Sequence, residues 1–299
     1  MTAVRGYRSG FVVLAGRPNV GKSTLLNRLV GQKVAITASV PQTTRTRLQG
    51  IITRPNVQIV LVDTPGIHHP RHRLGEKMVS DARHALADAD VVLFMMDASA
   101  GVTREDEAVA AVLKAVTKPI IVAMNKVDRL DSAALEAVEA SVRTLGKFES
   151  VIPISASVGT NVDRLVEALV ALLPEGPQYF PPEMYTDQPE QFLVREFIRE
   201  QAIQLTREEL PHSVAVDIEE FAPRPGTDLT YIRATVHVER ESHKKMLIGR
   251  DGRLLKEIGQ RARREIEALL GRRVFLDLWV KTSKGWRDKD ELIKSLYPE

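Results

Sequence analysis

The chain has 299 residues, of which 43% are hydrophobic, and a formal net charge of only +3. This length exceeds one ordinary hydrophobic core and predicts two domains. The absence of cysteine excludes disulfides, thiol catalysis and cysteine-based zinc sites, and a reducing cytoplasmic location is expected. The N-terminal stretch has no apolar signal core, and no apolar run approaches the ~20 residues that span a bilayer.

Positive charge is concentrated near the C-terminus. Between His243 and Arg287 there are thirteen Lys or Arg residues and five Asp or Glu residues, so the rest of the chain is net acidic. A local excess of this size is typical of nucleic-acid binding.

Residues 10 to 175 alternate between apolar strand patterns and helical patterns. Continuous apolar strands between helices predict an α/β domain whose mostly parallel sheet has helices on both faces. Ligands bind such sheets at the carboxyl ends of the strands. Strands are predicted at 11–15, 48–53, 58–62, 91–97, 119–124 and 151–154, and helices at 22–30, 75–87, 104–115, 132–145 and 162–173.

The stretch GRPNVGKS at residues 16–23 fits G-x-x-x-x-G-K-[ST], the phosphate-binding P-loop. A strand precedes it and a helix follows, so backbone N–H groups and the positive end of a helix dipole face one anion. Lys22 is expected to contact the β- and γ-phosphates, and Ser23 to bind Mg²⁺. The predicted nucleotide contacts in this stretch are Gly16, Arg17, Pro18, Asn19, Val20, Gly21, Lys22, Ser23 and Thr24.

A second motif, DTPG, follows the strand at 58–62. Asp63 can hold Mg²⁺ through water, and Gly66 can donate its N–H to the γ-phosphate, so the segment after it is predicted to act as a switch. A threonine in the preceding loop, residues 38–45, can complete the Mg²⁺ shell. Thr43 and Thr44 compete for this role, and Thr44 is our choice. The predicted magnesium ligands are Ser23, Thr44 and Asp63.

A third motif, NKVD at residues 125–128, indicates the base. The Asp128 carboxylate can accept hydrogen bonds from the N1–H and N2 amine of guanine, a donor pair that adenine lacks. Asn125 can tie this loop to the P-loop, and Lys126 can lie along the base. After the last strand, the Ala156 N–H is placed to contact guanine O6. The further predicted nucleotide contacts are Asp63, Thr64, Pro65, Gly66, Asn125, Lys126, Asp128, Ser155, Ala156 and Ser157.

A proline-marked segment separates the two predicted domains. We predict a GTPase domain at residues 1–176, a semi-rigid linker at 177–190, and an RNA-binding domain with a C-terminal tail at 191–299. In the last part, helical and alternating patterns follow the order helix, strand, strand, helix, helix, strand.

The stretch GRDG at residues 249–252 stands between two predicted helices. With this order of elements, the arrangement resembles an α+β KH domain of the second topological type, and the resemblance implies a fold that clamps about four nucleotides of single-stranded nucleic acid. An apolar groove wall is expected from Ile248, Leu254, Leu255 and Ile258. Trp286, in the basic tail, can either stack on a base or pack on the domain. The predicted RNA contacts are Lys244, Lys245, Ile248, Gly249, Arg250, Asp251, Gly252, Arg253 and Lys256.

The motifs GRPNVGKS, PQTTR, DTPG, NKVD and SAS, followed by a KH pattern, resemble the Era family of GTPases over about residues 8 to 290. The resemblance implies an enzyme that hydrolyses GTP with Mg²⁺, binds the 3′ end of 16S rRNA and assists assembly of the 30S ribosomal subunit. It also implies a cytoplasmic protein, expected to be a monomer, with peripheral contact to the membrane permitted.

Two positions bear on the rate of hydrolysis. Ile67 follows Gly66 where Ras-type GTPases have a water-orienting glutamine, so slow intrinsic turnover is expected. Asn19 matches the asparagine that related GTPases use to hold K⁺, which adds Asn19 to Lys22, Thr44 and Gly66 as a predicted catalytic residue. Two alternatives stay open: an RNA-binding scaffold that scarcely hydrolyses GTP, and a peripheral membrane regulator.

Overall fold

The computed structural model describes residues 6–38, 40, 43–66, 70, 72–206 and 210–297. Its Cα positions form two compact units. The first comprises Met1–Ala35, Thr44–Pro70 and Gly75–Asp187, and the second comprises Ile36–Thr43, Arg71–Leu74 and Gln188–Glu299.

The first unit is built on a six-stranded sheet in the order β2-β3-β1-β4-β5-β6. All neighbours are parallel except β2 and β3, which are antiparallel. This confirms the predicted α/β P-loop fold. The strands are β1 Arg8–Ala15, β2 Leu48–Arg54, β3 Val57–Asp63, β4 Val91–Asp97, β5 Ile120–Asn125 and β6 Ser150–Pro153; the helices are α1 Lys22–Val30, α2 Arg73–Asp88, α3 Arg104–Leu113, α4 Ser132–Arg143 and α5 Val162–Leu172.

The central strands are buried along their whole length. Every residue of β3, β4 and β5 is buried, as expected when helices cover both faces of a parallel sheet. Such strands read as continuous apolar runs, which is why the sequence located them to within a few residues. Charged or amide side chains end these strands, at Asp63, Asp97 and Asn125.

The second unit combines helices with a three-stranded sheet in the order β7-β8-β9. Strands β7 and β8 are antiparallel, whereas β8 and β9 are parallel. The predicted α+β order of a KH domain of the second type is confirmed. The elements are α6 Glu190–Gln204, α7 Leu210–Ser213, β7 Ala215–Pro223, β8 Leu229–Val238, α8 Glu241–Ile248, α9 Arg253–Leu270, β9 Arg273–Thr282 and α10 Asp290–Leu296.

One face of this sheet forms the core of the unit. Ile232, Ala234 and Val236 of β8 alternate inward and belong to the same buried cluster as Ile258 and Ala262 of α9. The expectation that Ile258 lines the groove wall is therefore wrong. Its spacing of four residues from Ala262 places both side chains on the face of α9 that packs on the sheet.

The C-terminal segment is folded, contrary to its interpretation as a tail. It ends in α10, and Trp286 before that helix is fully buried. The Trp286 indole N–H donates to the carbonyl oxygen of Ser213 at 2.8 Å. Of the two alternatives for Trp286, packing is the one observed.

In the part of the chain that the structure describes, no helix is long and apolar enough to cross a membrane.

We expect Trp286→Ala to lower the free energy of unfolding by about 3–5 kcal/mol, because it leaves a cavity and an unpaired carbonyl at Ser213. Denaturant titration followed by circular dichroism measures this. Trp279→Ala is the matched control: Trp279 is 60% exposed, so its loss should cost about 1 kcal/mol or less. Equal destabilisation by both variants would contradict the assignment of Trp286 to the core.

Candidate nucleotide site and nucleic-acid interface

The loop between β1 and α1 has the glycines that its geometry requires. Gly21 has a φ of 103°, and a Cβ there would lie 2.2 Å from Nδ2 of Asn125. At Gly16, with φ 151°, a Cβ would lie 2.5 Å from the Met95 carbonyl oxygen. A larger residue at Gly16 would therefore collide with the backbone of β4, and one at Gly21 would displace the side chain of Asn125.

Lys22 lies inside this loop. Its ammonium donates to the carbonyl oxygens of Gly16 at 3.0 Å and Arg17 at 3.1 Å. Burial lowers the pKa of Lys22, and the negative charge of Asp63 opposes that shift. A desolvated cation at the start of a helix suits a polyphosphate, because both the charge and the helix dipole attract anions.

The three predicted magnesium ligands lie together. Oδ2 of Asp63 accepts from Oγ of Ser23 at 2.7 Å and from Oγ1 of Thr44 at 3.1 Å, and the two hydroxyls are 3.1 Å apart. Thr43, the competing threonine, instead donates to the carbonyl oxygen of Val40 at 2.7 Å. Of the two threonines, Thr44 is therefore the one that faces the site.

Asp63 is a fully buried carboxylate. Burial raises its pKa, while Lys22 and the hydroxyls of Ser23 and Thr44 lower it. Its Oδ1 accepts no hydrogen bond from the described part of the chain. Two hydroxyl oxygens beside a buried carboxylate with one oxygen left without a donor form a set of hard oxygen ligands that fits Mg²⁺.

The rest of the DTPG motif packs against the strand and the loop of the phosphate site. Oγ1 of Thr64 donates to the Leu14 carbonyl oxygen of β1 at 3.0 Å. A Cβ on Gly66 would lie 2.9 Å from the ring of Pro18, so only glycine allows this approach. Pro65 lies between them, and Ile67 falls outside the described residues.

Asn125 connects the base-binding motifs to the P-loop. Its Nδ2 donates to the Val20 carbonyl oxygen at 2.7 Å, and its Oδ1 accepts the Ala156 N–H at 2.8 Å. The N–H that we expected to contact guanine O6 is therefore donated to Asn125 in this structure. Ser155 and Ser157 flank Ala156, with their hydroxyl oxygens 3.2 Å apart.

Lys126 and Asp128 lie at the same strand ends. The Lys126 ammonium donates to Oδ2 of Asp97 at 2.6 Å and to the Asn19 carbonyl oxygen at 2.9 Å. Burial opposes ionisation of Asp97, but the hydrogen bonds from Lys126 and Ser99 outweigh it and lower the pKa of Asp97. The side chain of Asp128 is exposed, as a base-binding carboxylate must be.

Sequence reasoning missed three supporting residues, Asp97, Arg28 and Asp106. Asp97 ends β4 and is paired with Asn125 in the sheet register, so its position at a strand end was an available signal. Arg28 donates to the carbonyl oxygens of Ala156 and Ser157. Arg17, a predicted nucleotide contact, donates to buried Asp106 at 3.3 Å. Neither arginine contact has a local sequence signal.

In the second unit the GRDG loop has an unusual backbone. Gly249 and Gly252 both have φ 72°, and a Cβ on Gly249 would lie 2.7 Å from Cβ of Leu254. Asp251 also has a positive φ, of 54°. Gly252 is the N-cap of α9 and provides no side-chain cap. The N–H groups of the first turn therefore have no partner within the helix or from the cap side chain, as in anion sites.

Charged side chains surround this loop. The side chains of Arg250 and Arg253 are 91% and 81% exposed, and each lies 4.0 Å from Asp251. Such exposed pairs contribute little to stability, so both arginines can turn toward phosphates. Lys245 and Lys256 are exposed, and Lys244 and Ile248 are half-buried.

Two family models match the chain, and the matches agree with the two folds. A model described as a 50S ribosome-binding GTPase matches residues 11–126. A KH-domain model matches residues 209–287.

Curated relatives cover nearly the whole chain. A protein from Halothermothrix orenii named GTPase Era is 52% identical over 97% of this chain and 98% of its own length. GTPase Era of Alkaliphilus metalliredigens is 46% identical over 97% of this chain and 98% of its own length.

Solved structures agree. A crystal structure of Era with MgGDPNP and nucleotides 1506–1542 of 16S ribosomal RNA superposes with a TM-score of 0.93, at 41% identity over 97% of this chain and 99% of that one. A point variant of Aquifex aeolicus Era bound to GDP·AlF4⁻ gives the same TM-score and coverage at 40% identity. With the site geometry described above, these matches show that the chain belongs to the Era family of GTPases.

Proposed function

We propose that this protein hydrolyses GTP to GDP and phosphate, binds the 3′ end of 16S rRNA and assists assembly of the 30S subunit. The convergence of Ser23, Thr44 and Asp63 beside the buried ammonium of Lys22 carries the GTPase part. The RNA part is supported by the relative whose complex contains MgGDPNP and nucleotides 1506–1542 of 16S rRNA.

In this proposal the P-loop N–H groups and Lys22 hold the phosphates. Ser23 and Thr44 hold Mg²⁺ directly and Asp63 holds it through water. Bound Mg²⁺ supplies positive charge against the β- and γ-phosphates. Because Ile67 has no group that can orient a water molecule, intrinsic turnover is proposed to be slow.

Asp128→Asn should change the base preference. The amide nitrogen of Asn cannot accept from the guanine N2 amine, whereas it can donate to the carbonyl at position 2 of xanthine. We expect GTP affinity to fall by about 10- to 100-fold, the cost of a charged hydrogen-bond pair, and xanthosine triphosphate to become the better ligand. Competition binding among GTP, XTP and ATP measures this, and an unchanged preference for GTP would contradict guanine recognition by Asp128.

Gly252→Asp should weaken RNA binding without unfolding the protein. No heavy atom lies within 4 Å of a Cβ at this position, and Asp tolerates a positive φ better than most residues. We expect at least roughly tenfold weaker binding to an RNA with nucleotides 1506–1542, because the carboxylate repels phosphates.

Gly31→Asp is the matched control for this experiment. Gly31 has φ 77° and equally open surroundings, but it lies at the end of α1 in the first unit. Equal losses from both variants would contradict phosphate binding at the GRDG loop.

We further propose that the nucleotide state controls RNA affinity through residues 36–43. These residues belong to the second unit, although Thr44 immediately after them belongs to the first. If Thr44 moves when the γ-phosphate is lost, the movement is passed along the chain to residues 36–43, which belong to the second unit.

Side chains of α6 hold this segment near both of its ends. Oε1 of Glu200 accepts from the Thr37 N–H at 2.8 Å and from Oγ1 of Thr37 at 3.3 Å. Arg199, which is fully buried and paired with Glu196, donates to the carbonyl oxygen of Thr43. These contacts support the proposal that residues 36–43 transmit the nucleotide state at Thr44 to the second unit.

Glu200→Gln tests this coupling. We expect wild-type protein to bind RNA more tightly with a non-hydrolysable GTP analogue than with GDP, and the variant to lose most of that difference while keeping its GTP affinity. The amide has the same size but no charge, so the hydrogen bond to Thr37 weakens by about 1 kcal/mol.

The control is Glu190→Gln on the same helix, whose carboxylate makes an exposed ion pair with Arg272 at 2.7 Å. It should leave the difference between the two nucleotide states unchanged. Equal RNA affinity in both states of the wild type would overturn the proposed coupling.

K⁺ is proposed as an additional cofactor at Asn19. This residue is exposed and left-handed, with φ 64°, which is compatible with a side chain directed beside the phosphates. We expect GTP hydrolysis to be faster in KCl than in matched NaCl by up to about 10²-fold, the effect of one charge-stabilising group. The difference between the two salts should be lost in Asn19→Ala. Equal rates in the two salts would exclude this role.

We also propose the domain limits 1–176, 177–190 and 191–299, supported by the change of unit between Asp187 and Gln188. Residues 36–43 and 71–74 are exceptions, because they fall within 1–176 but belong to the second unit.

We further propose a cytoplasmic, monomeric protein for which peripheral membrane contact is permitted. Vesicle sedimentation tests the membrane contact, and analytical ultracentrifugation tests the oligomeric state.

A further inference from the structure

The outer face of the β7-β8-β9 sheet exposes large aromatic side chains. The core residues of β8 alternate inward, so Tyr231 and Arg233 point to the opposite face, together with their register partners Phe275 and Asp277 of β9. Phe275 is 50% exposed and Trp279 is 60% exposed. We call this set, with Arg224, the aromatic face.

Hydrogen bonds hold these side chains in place. The Asp277 carboxylate accepts from the Tyr231 hydroxyl at 3.0 Å and from Nε of Arg233 at 3.3 Å. The Tyr231 ring, against which Phe275 stacks, is therefore held in place before any ligand binds, which reduces the loss of conformational entropy on binding.

Arginines cover part of the rings. Tyr231 and Phe275 stack at 5.8 Å between centroids with an interplanar angle of 13°. The Arg224 guanidinium lies 5.1 Å from the Tyr231 centroid and 5.5 Å from that of Phe275, and Arg233 lies 5.6 Å from Tyr231. Stacked rings beside guanidinium groups are the features that bind unpaired nucleobases.

Charge on this face is divided between its two sides. Arg273 and Lys281 are exposed and alternate with Phe275, Asp277 and Trp279 on the same side of β9. Together with the arginines that cover the rings, they outnumber the carboxylate of Asp277, which is itself paired with Arg233. The β7 side is acidic, because the register places Asp217 opposite Thr235 and Glu220 opposite Arg233, and Glu219 accepts from Thr235 at 2.6 Å. Charge therefore favours an anionic partner only along the β9 side, where Phe275 and Trp279 lie.

We propose that the aromatic face is a second RNA-binding surface, on which unpaired nucleobases stack against Phe275 and Trp279 while Arg224, Arg233 and Arg273 contact phosphates. It lies on the side of the sheet opposite α9, whose N-terminus adjoins the GRDG loop. The inference rests on the proposed RNA-binding function, and it extends the bound RNA beyond the four or so nucleotides that a KH groove holds.

Fluorescence separates this surface from the groove. The chain has two tryptophans, so Trp286→Phe leaves Trp279 as the only indole. Titration of that full-length variant with a single-stranded RNA of about 14 nucleotides should quench Trp279 emission, because a stacked base quenches an indole. In the double variant that combines Trp286→Phe with Gly252→Asp, quenching of Trp279 should still occur, but at a higher RNA concentration than in Trp286→Phe alone. If Trp286→Phe does not fold, 5-fluorotryptophan and ¹⁹F NMR of the otherwise native chain give the same readout.

Affinity provides the second measurement. Phe275→Ala should weaken binding of the long RNA by about tenfold, as expected for loss of one stacked base, and leave binding of a four-nucleotide RNA unchanged. Trp279→Leu should weaken binding of the long RNA to a similar extent, because Leu keeps apolar area but offers no π-face. Trp279→Phe should bind the long RNA nearly as tightly as the wild type.

Failure of the two proposals can be distinguished. If Gly252→Asp leaves all RNA binding intact while the aromatic variants abolish it, the groove assignment fails and the second surface stands. If the long RNA binds but neither quenches Trp279 nor responds to Phe275→Ala, the second surface is excluded. Quenching that depends on protein concentration without RNA would assign the face to a second copy of the chain and would also overturn the proposal.

Discussion

The hydrogen bonds around the buried carboxylate of Asp63 are the constraint on which the nucleotide site depends. Burying a carboxylate costs free energy unless charges and donors compensate for it. Here Lys22, Ser23 and Thr44 supply that compensation from the P-loop helix and from the segment before β2. Because Oδ1 of Asp63 is left without a donor among the described residues, the compensation is incomplete, and a cation at this position would complete it.

The motifs of the candidate nucleotide site could be located from sequence because their polar residues follow directly at the ends of apolar strands. In a parallel sheet with buried strands, polar residues are tolerated mainly where a strand ends, so DTPG and NKVD stood out after apolar runs. The side chains that orient these motifs could not be found in the same way. Asp97 holds Lys126, and Arg28 holds the loop at Ala156, and each pairing joins segments that are distant in sequence.

The second unit shows where periodicity stops being informative. Alternation located β8 and β9 and helical spacing located α9, but a pattern identifies a face without saying what covers it. Ile258 was expected at the groove and lies in the core, and of the two tryptophans the one among basic residues is buried while the one within a strand is exposed. Only the structure shows which face of β9 is covered: Leu278 and Val280 pack on the core, so Trp279 between them lies on the exposed face, opposite Thr235 of β8.

The buried ion pair on α6 is better explained by coupling than by stability. Burial alone would lower the pKa of Arg199, but Glu196 raises it above the usual value, so the pair stays charged inside the unit. Such pairs often contribute no more stability than apolar residues of similar volume. A charged Arg199 can, however, hold the carbonyl oxygen of Thr43, which a leucine or methionine could not. Thr44 follows Thr43 directly and donates to Asp63. A single peptide bond therefore separates the residue that Arg199 holds, Thr43, from Thr44, which is proposed to sense the γ-phosphate.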